Sequence, residues 1–444
     1  MKNEILEKLN GKKILIATLP AEGHLNPLTG IAKYLQEAGC DVRWYTSVIF
    51  RDKLQRLGVF HYPFIQALDV NSNNMDELFP ERKNIADAGE RANFDMTNGL
   101  CKPTPGMLAD IELIQQNFPF DIVIADNLFP AIPLIKAKLN VPVISIGVIP
   151  LAEQSKDLAP YGPGFYPPEN DEQYKAYTEL TQVFNNVIFK GLIDAYSAIL
   201  TENNIPHERA PVTDTLIRHA SLHLQIGTPS FEFKRSDLGN NIRFIGALLP
   251  YSNAKHKQKW FDERLNQYKK IVLVTQGTVE KDTTKILEPT LNAFKNTDTL
   301  VIATTGGSKT AELKEKYPFN NIIIDDFIPF DDVMPYASVY VTNGGYGGTL
   351  LSIMNNLPIV AAGVHEGKSE ICSRLGYFKY GIDLKTETPT TEAIKEGVEK
   401  VLSDNLYKQN MTRLANEIKE YDSIALVAGY VAELIAEKET QAKA

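Results

Sequence analysis

A histidine flanked by a glycine and, three residues on, a proline, Gly23-His24-Leu25-Asn26-Pro27, follows the apolar run KKILIATL at residues 12–19. The positive end of a helix dipole disfavours imidazolium, so a histidine at a helix start stays neutral and basic. That suits a general base taking a proton from a hydroxyl near neutral pH; a capping or solvent-exposed histidine is the plainer alternative. Asp126 closes a second apolar run, DIVIAD. A carboxylate there can hold His24 in one tautomer and stabilise its protonated form, or simply cap the helix that follows. No Gly-x-Ser-x-Gly segment supplies a nucleophile, which argues against a serine hydrolase.

A different chemistry is suggested by Thr342-Asn343-Gly344-Gly345-Tyr346-Gly347-Gly348-Thr349, with four glycines in five positions between the run SVYV and the helical pattern LLSIMNN. Glycines let a ligand approach the backbone closely, and a helix start offers free N–H groups to a phosphate. No Gly-Lys-Ser/Thr follows, so this is not a Walker loop, and the first run carries no Gly-x-Gly-x-x-Gly of a nicotinamide dehydrogenase. His365-Glu366-Gly367-Lys368, past the run LPIVAAG, offers an acid and a base to sugar hydroxyls, unless it is a solvated loop. Phe327, after NIIIDD, is placed to stack on a nucleobase, unless it is a core residue.

These residues all end strand-like runs. Runs at 12–19, 41–47, near 121 and near 141 alternate with helical patterns, such as residues 28–38 with Leu28, Ile31, Ala32 and Leu35 on one face and Gly39 as a stop. Strand, helix, strand at this spacing predicts a parallel sheet with right-handed crossovers. The pattern restarts at KKIVLVTQGT, residues 269–278, and continues through TLVIATTGG, NIIIDDF, SVYVTNGG and LPIVAAG. The expectation is an α/β protein of two tandem Rossmann-like parallel-sheet domains facing across a cleft. The first spans residues 1–250, a linker and lead-in helix 251–268, the second domain 269–425, and a C-terminal helix and tail 426–444. Ligands of open parallel sheets sit at the carboxyl ends of the strands, which is where the candidate residues lie. The segment 150–215 suits a cap over a pocket.

Composition narrows the partners. Among 444 residues, 43% are hydrophobic and 23% charged, as in a globular protein with room for more than one core. The net charge of −9 and the lack of a basic run argue against nucleic acid. Cys40, Cys101 and Cys372 are scattered, which predicts neither disulfides nor a zinc site and favours a reducing cytoplasm. The start MKNEILEKLNGKK has no apolar core of a signal peptide, and no apolar run approaches the ~18 residues of a membrane span.

Together these motifs resemble the family 1 glycosyltransferases, the inverting nucleotide-sugar-dependent enzymes of the GT-B fold, over about residues 12–435. The resemblance implies that His24 in Gly-His-x-x-Pro is the catalytic base and Asp126 its orienting partner. Gln276-Gly277-Thr278 is similar to the family's donor-side loop. Phe327-Ile328-Pro329-Phe330 is similar to a Trp-x-Pro-Gln element whose aromatic stacks on uracil. Thr342 to Pro358 aligns without gaps with the donor signature, from its Thr-His-Gly-Gly start to its Gly-Val-Pro end.

Several positions depart from that signature: Asn343 for its phosphate-contacting histidine, Gly347 and Gly348 for Asn and Ser, Leu351 for the ribose-gripping glutamate, and Phe330 for glutamine. Glu366 is nearest to the sugar-reading acid, with Lys368 beside it. The resemblance therefore implies a donor site of Gly277, Thr278, Phe327, Asn343, Gly344, Gly345, Gly347, Gly348, Thr349, Glu366 and Lys368. The amides of Gly347, Gly348 and Thr349 would hold the diphosphate, with no metal and no other cofactor. It implies transfer of a sugar, glucose first, from a nucleotide diphosphate sugar, UDP first, to a small apolar or aromatic acceptor. The acceptor pocket is expected from residues 70–105 and 150–200, with Phe94, Phe165, Tyr166 and Phe184 as candidate lining. If Leu351 leaves the ribose without a carboxylate, Glu366 or Glu370 is the expected substitute. A nucleotide-sugar epimerase on the same fold, or a non-catalytic glycoside- or partner-binding homologue, is the alternative.

Overall fold

The computed structural model describes residues 2–71, 73–252, 259–277, 280–365 and 367–441. In the first half β1 (Lys13–Ala17), β2 (Asp41–Tyr45), β3 (Phe60–Tyr62), β4 (Ile122–Asp126), β5 (Val143–Gly147), β6 (Leu222–Gln225) and β7 (Ile242–Phe244) form one sheet, ordered β3-β2-β1-β4-β5-β6-β7. In the second, β8 (Lys270–Thr275), β9 (Thr299–Thr304), β10 (Ile322–Asp325), β11 (Val339–Thr342), β12 (Ile359–Ala361) and β13 (Gly381–Asp383) follow the order β10-β9-β8-β11-β12-β13. Every pairing within both sheets is parallel. The fold is thus the expected pair of Rossmann-like sheets. The long runs are apolar because their strands are buried on both faces: every residue of β4, β5 and β9 is buried. β3, β6, β7 and β13 escaped the sequence reading because each has only three or four residues and carries polar ones, as in LHLQ and GID.

Both sheets reverse their winding once. β1 pairs with β2 on one side and β4 on the other, and β8 with β9 and β11. At such a switch point the loops after the two central strands leave in opposite directions and open a crevice. The helix after β1, Glu22–Glu37, buries Leu25, Leu28, Ile31, Ala32 and Leu35. It stops at Gly39, whose φ of +88° is costly for residues with a Cβ.

The two sheets share one core. A single buried cluster includes Ile14 of β1, Leu28 of the following helix and Leu273 of β8. Part of the join is the last helix, Ser423–Gln441, which leaves the second sheet and packs on the first half, against helix Glu22–Glu37 and the N-terminal helix Lys2–Leu9. The seam is also polar. Tyr346 Oη donates to the Ile226 carbonyl at 2.8 Å, and its ring stacks on Phe231 at 5.9 Å. Arg374, 1% exposed, donates to Glu232 Oε2 through Nε at 2.8 Å and to Glu370 Oε2 through Nη1 at 2.8 Å. Glu232 belongs to the first half and the other two to the second, so the guanidinium ties the halves together. No single helix among the described residues is long and apolar enough to cross a membrane.

Candidate active site

The crevice of the first sheet brings together two of the expected residues. His24 is the third residue of helix Glu22–Glu37, and its amide bonds the Ala21 carbonyl at 3.0 Å. Its ring Nδ1 lies 2.7 Å from Asp126 Oδ1. Asp126 is wholly buried and also accepts the Leu19 amide at 2.7 Å on Oδ2 and the Leu128 amide at 2.9 Å on Oδ1. A carboxylate holding three donors is a pure acceptor, so the imidazole must present Nδ1–H to it. That leaves the Nε2 lone pair free on a side chain still 15% exposed. An imidazole so fixed can take a proton at Nε2 and be stabilised as imidazolium by the buried carboxylate. Asp126 is not the cap of the next helix; Ala131 holds that position. The deeply buried histidine of this sheet, His223, is pushed down to about 4 by burial and bonds Ser145 and Gln225, so it is a neutral structural group.

The crevice of the second sheet gathers the glycine-rich loops. Asn343 Nδ2 donates to the Gln276 carbonyl at 2.6 Å, which ties the loop after β11 to the loop after β8. The loop after β12 closes onto the loop after β11. A Cβ on Gly363 would lie 2.1 Å from the Asn343 carbonyl oxygen, and one on Gly344, where φ is +79°, would lie 2.6 Å from Cys372 Sγ. These two glycines are required by close approach. Lys368 begins helix Lys368–Tyr377 beside Gly344. Phe327 is 69% exposed, a bare ring at the end of the β10 loop rather than a core residue. Thr278 and Glu366 lie outside the described residues.

Two expectations are corrected here. The helix after the glycines begins at Tyr346, not after Thr349, with Gly345 as its cap. Tyr346, Gly347 and Gly348 are therefore its first turn, where amides have no intrahelical acceptor. The Thr349 amide is spent on the Gly345 carbonyl at 3.0 Å, so it cannot serve a phosphate; only its buried hydroxyl lacks a partner. Glu370 is likewise not free to grip a ribose. It is 4% exposed, and its carboxylate is occupied by Arg374 and by the amides of Gly162 and Gly164.

The four candidate acceptor aromatics do not gather into one cluster. Phe94 meets Phe79 edge-on at 6.0 Å, Phe165 stacks on Tyr177 at 5.7 Å, Phe184 tilts against Phe189 at 5.8 Å, and Tyr166 meets Tyr377 of the second half at 5.5 Å. Sequence reading missed the interdomain roles of Glu232, Arg374 and Tyr346. The spacing of Glu370 and Arg374 by four residues was a signal, but it reads equally as a surface ion pair. Among the described residues no three His, Cys, Asp or Glu side chains come together to hold a metal ion.

The family model described as UDP-glucoronosyl and UDP-glucosyl transferase matches residues 64–421. The chain belongs to this family. This glycosyltransferase is 31% identical over 446 residues to UDP-glucosyltransferase 1 of Beauveria bassiana (strain ARSEF 2860), covering 95% of each chain. It is 29% identical over 416 residues to 4'-demethylrebeccamycin synthase of Lentzea aerocolonigenes, covering 93% of this chain and 97% of that one. Among solved structures it superposes on the glycotransferase of kitacinnamycin with a TM-score of 0.73, at 17% identity over 96% of this chain and all (100%) of the other. The fold is GT-B, and the enzyme is a nucleotide-sugar-dependent glycosyltransferase.

Asp126 is the group that sets the histidine's tautomer in this enzyme. In Asp126→Asn the amide must turn its N–H either toward the Leu19 amide or toward His24 and the Leu128 amide, so a donor–donor clash arises in either orientation. Nitrogen-15 shifts of the His24 ring at neutral pH should show the proton on Nδ1 in the parent and a shift toward Nε2–H in the variant. An unchanged tautomer, with the Leu19 amide resonance also unchanged, would show that something other than Asp126 sets it.

Proposed function

We propose that the protein transfers glucose from UDP-glucose, with inversion, to a hydroxyl of a small, largely apolar or aromatic acceptor. The observation that carries this reading is the Nδ1-bonded, Nε2-free His24 at the crevice of one sheet, with a helix start that has no side-chain cap bond at the crevice of the other. His24 Nε2 takes the acceptor proton as the acceptor oxygen attacks the anomeric carbon, and Asp126 stabilises the resulting imidazolium. Single displacement from an α-linked donor gives a β-linked product. The leaving diphosphate is held by the amides of Gly347 and Gly348, in the family's anion position, with Asn343 and Thr278 as side-chain donors. Asn343 also fixes the loop that carries Gly277. Phe327 stacks on the base, and Glu366 and Lys368 read the sugar. The name of the fungal UDP-glucosyltransferase supports the choice of nucleotide and sugar. Residues 1–250 form the acceptor unit and residues 269–425 the donor unit, and the enzyme works in the cytoplasm.

His24→Ala should fold, keep its affinity for UDP and lose at least about 100-fold in turnover, the usual worth of a general base. Turnover within a few-fold of the parent would remove His24 from the mechanism. Fixed amide dipoles do the work that a divalent ion does in many transferases, so activity should persist in EDTA. Loss in EDTA that magnesium or manganese restores would overturn that account.

The donor site carries one more consequence. Leu351 packs half-buried on the shared core and cannot accept a hydrogen bond, and Glu370 is occupied elsewhere. Uridine and thymidine diphosphates should therefore bind within about tenfold of each other, or ~1.4 kcal/mol. Leu351→Glu should shift the preference toward the ribose form. Isothermal titration of both nucleotides against both proteins checks this; a parent that prefers the ribose form by ~100-fold would point to Glu366 as the gripping residue.

A further inference from the structure

The segment Tyr161-Gly162-Pro163-Gly164-Phe165-Tyr166 of the acceptor half lies along the whole of helix Lys368–Tyr377 of the donor half. At the start of that helix, a Cβ on Gly367 would lie 3.5 Å from Tyr161 Oη. In its first turn, Glu370 Oε1 accepts the Gly162 amide at 2.7 Å and the Gly164 amide at 3.0 Å, and Ser369 Oγ donates to the Gly162 carbonyl. At its end Tyr166 packs edge-on against Tyr377, and a Cβ on Gly376 would lie 2.5 Å from Tyr166 Oη. The fit at Gly164 needs glycine twice over: its φ is +72°, and a Cβ would lie 2.4 Å from the Ser369 carbonyl oxygen.

The clamp is strong because it is dry and charged. Glu370 is 4% exposed and is paired with Arg374, which is itself held by Glu232 of the acceptor half. Bonds from amides to a buried carboxylate are roughly twice as strong as neutral ones. Between strap and helix remains a cavity of about 20 Å³, lined by Tyr161, Phe165, Arg235, Glu370 and Arg374 among others. The Tyr161 hydroxyl and Arg235 Nε are buried without a partner. A cavity of that size has room for about one water molecule.

We propose that Glu370 is a positioning residue that holds this strap shut over the sugar end of the donor site, so that transfer to the acceptor prevails over hydrolysis of the donor. This rests on the proposed function, which puts the sugar-reading residues at the start of the same helix. In the reaction the strap suppresses, a water oxygen bonds to the anomeric carbon. The bond from that carbon to the diphosphate oxygen breaks with its electron pair going to UDP, and the water's proton goes to His24 Nε2. Excluding bulk water from a reacting centre is one of the established uses of a closed active site.

Three variants loosen the clamp by different routes. Glu370→Gln turns an N–H toward Arg374 or toward the strap amides. Ser369→Ala and Gly164→Ala leave the buried Glu232–Arg374–Glu370 group intact, so they keep the proposal testable if the first variant folds poorly. With UDP-glucose and no acceptor, the rate of UDP release should rise about tenfold or more in each folded variant, while affinity for UDP itself stays within a few-fold. With a simple phenol as acceptor, UDP released per glycoside formed should rise in parallel. Hydrogen exchange at Gly162 and Gly164 reports independently whether the strap has come loose. Faster exchange in the variants with an unchanged hydrolysis rate would overturn the water-excluding role. Strap amides as protected in all three variants as in the parent would overturn the clamp itself. A parent that makes no glycoside from the phenol and releases no UDP argues instead against the proposed transfer, and the exchange measurement still decides the clamp.

Discussion

The reversal of winding in each parallel sheet is the constraint on which the site depends. A parallel sheet must route its crossovers over both faces, and where the order turns back, two neighbouring strands send their loops apart. In the first sheet those strands are β1 and β4, and in the second β8 and β11. His24 follows β1 and Asp126 ends β4, so the only way for them to be far apart would be a different strand order. The same geometry sets Gln276 after β8 and Asn343 after β11 within hydrogen-bond reach. Residues 102 and 67 positions apart in the chain thus become neighbours without any special loop.

Holding the two crevices face to face is a separate problem, and the seam solves it with buried polar groups. Burying Arg374 with Glu232 and Glu370 costs desolvation that the ion pairs do little more than offset. What such a group supplies is register: the guanidinium fits only when both carboxylates are in place. Tyr346 does the same at the helix after β11. Its hydroxyl bonds the Ile226 carbonyl, so the first residue of that helix is anchored to the first half. Gln225 donates to the same carbonyl at 3.0 Å and to that of Ile149 at 2.8 Å, which continues the contact into the segment that leads to the strap.

The differences between expectation and structure share a cause. Thr349 sits in a stretch with four glycines, and helix propensity there is too low to say where the helix begins; packing of Tyr346 against Phe231 accompanies a start four residues early. Glu370 looked available because a glutamate near the start of a helix is usually solvated. It is buried because a distant segment, residues 161–166, lies on it. The last helix reads as a tail of the second half, yet its apolar face finds cover on helix Glu22–Glu37.

Alone, the sequence determined the α/β class, both parallel sheets, the central strands and the pairing of His24 with Asp126 as a hypothesis. These follow from local patterns: doubly buried strands are apolar throughout, and parallel crossovers have one hand. The tertiary structure decided which oxygen and nitrogen of that pair meet, which amides of the glycine-rich loop stay free, and that Glu370, Arg374 and Glu232 form one group across the seam. Those depend on contacts between segments far apart in the chain, whose energies arise only when burial removes water from both partners at once, and no window of sequence contains both.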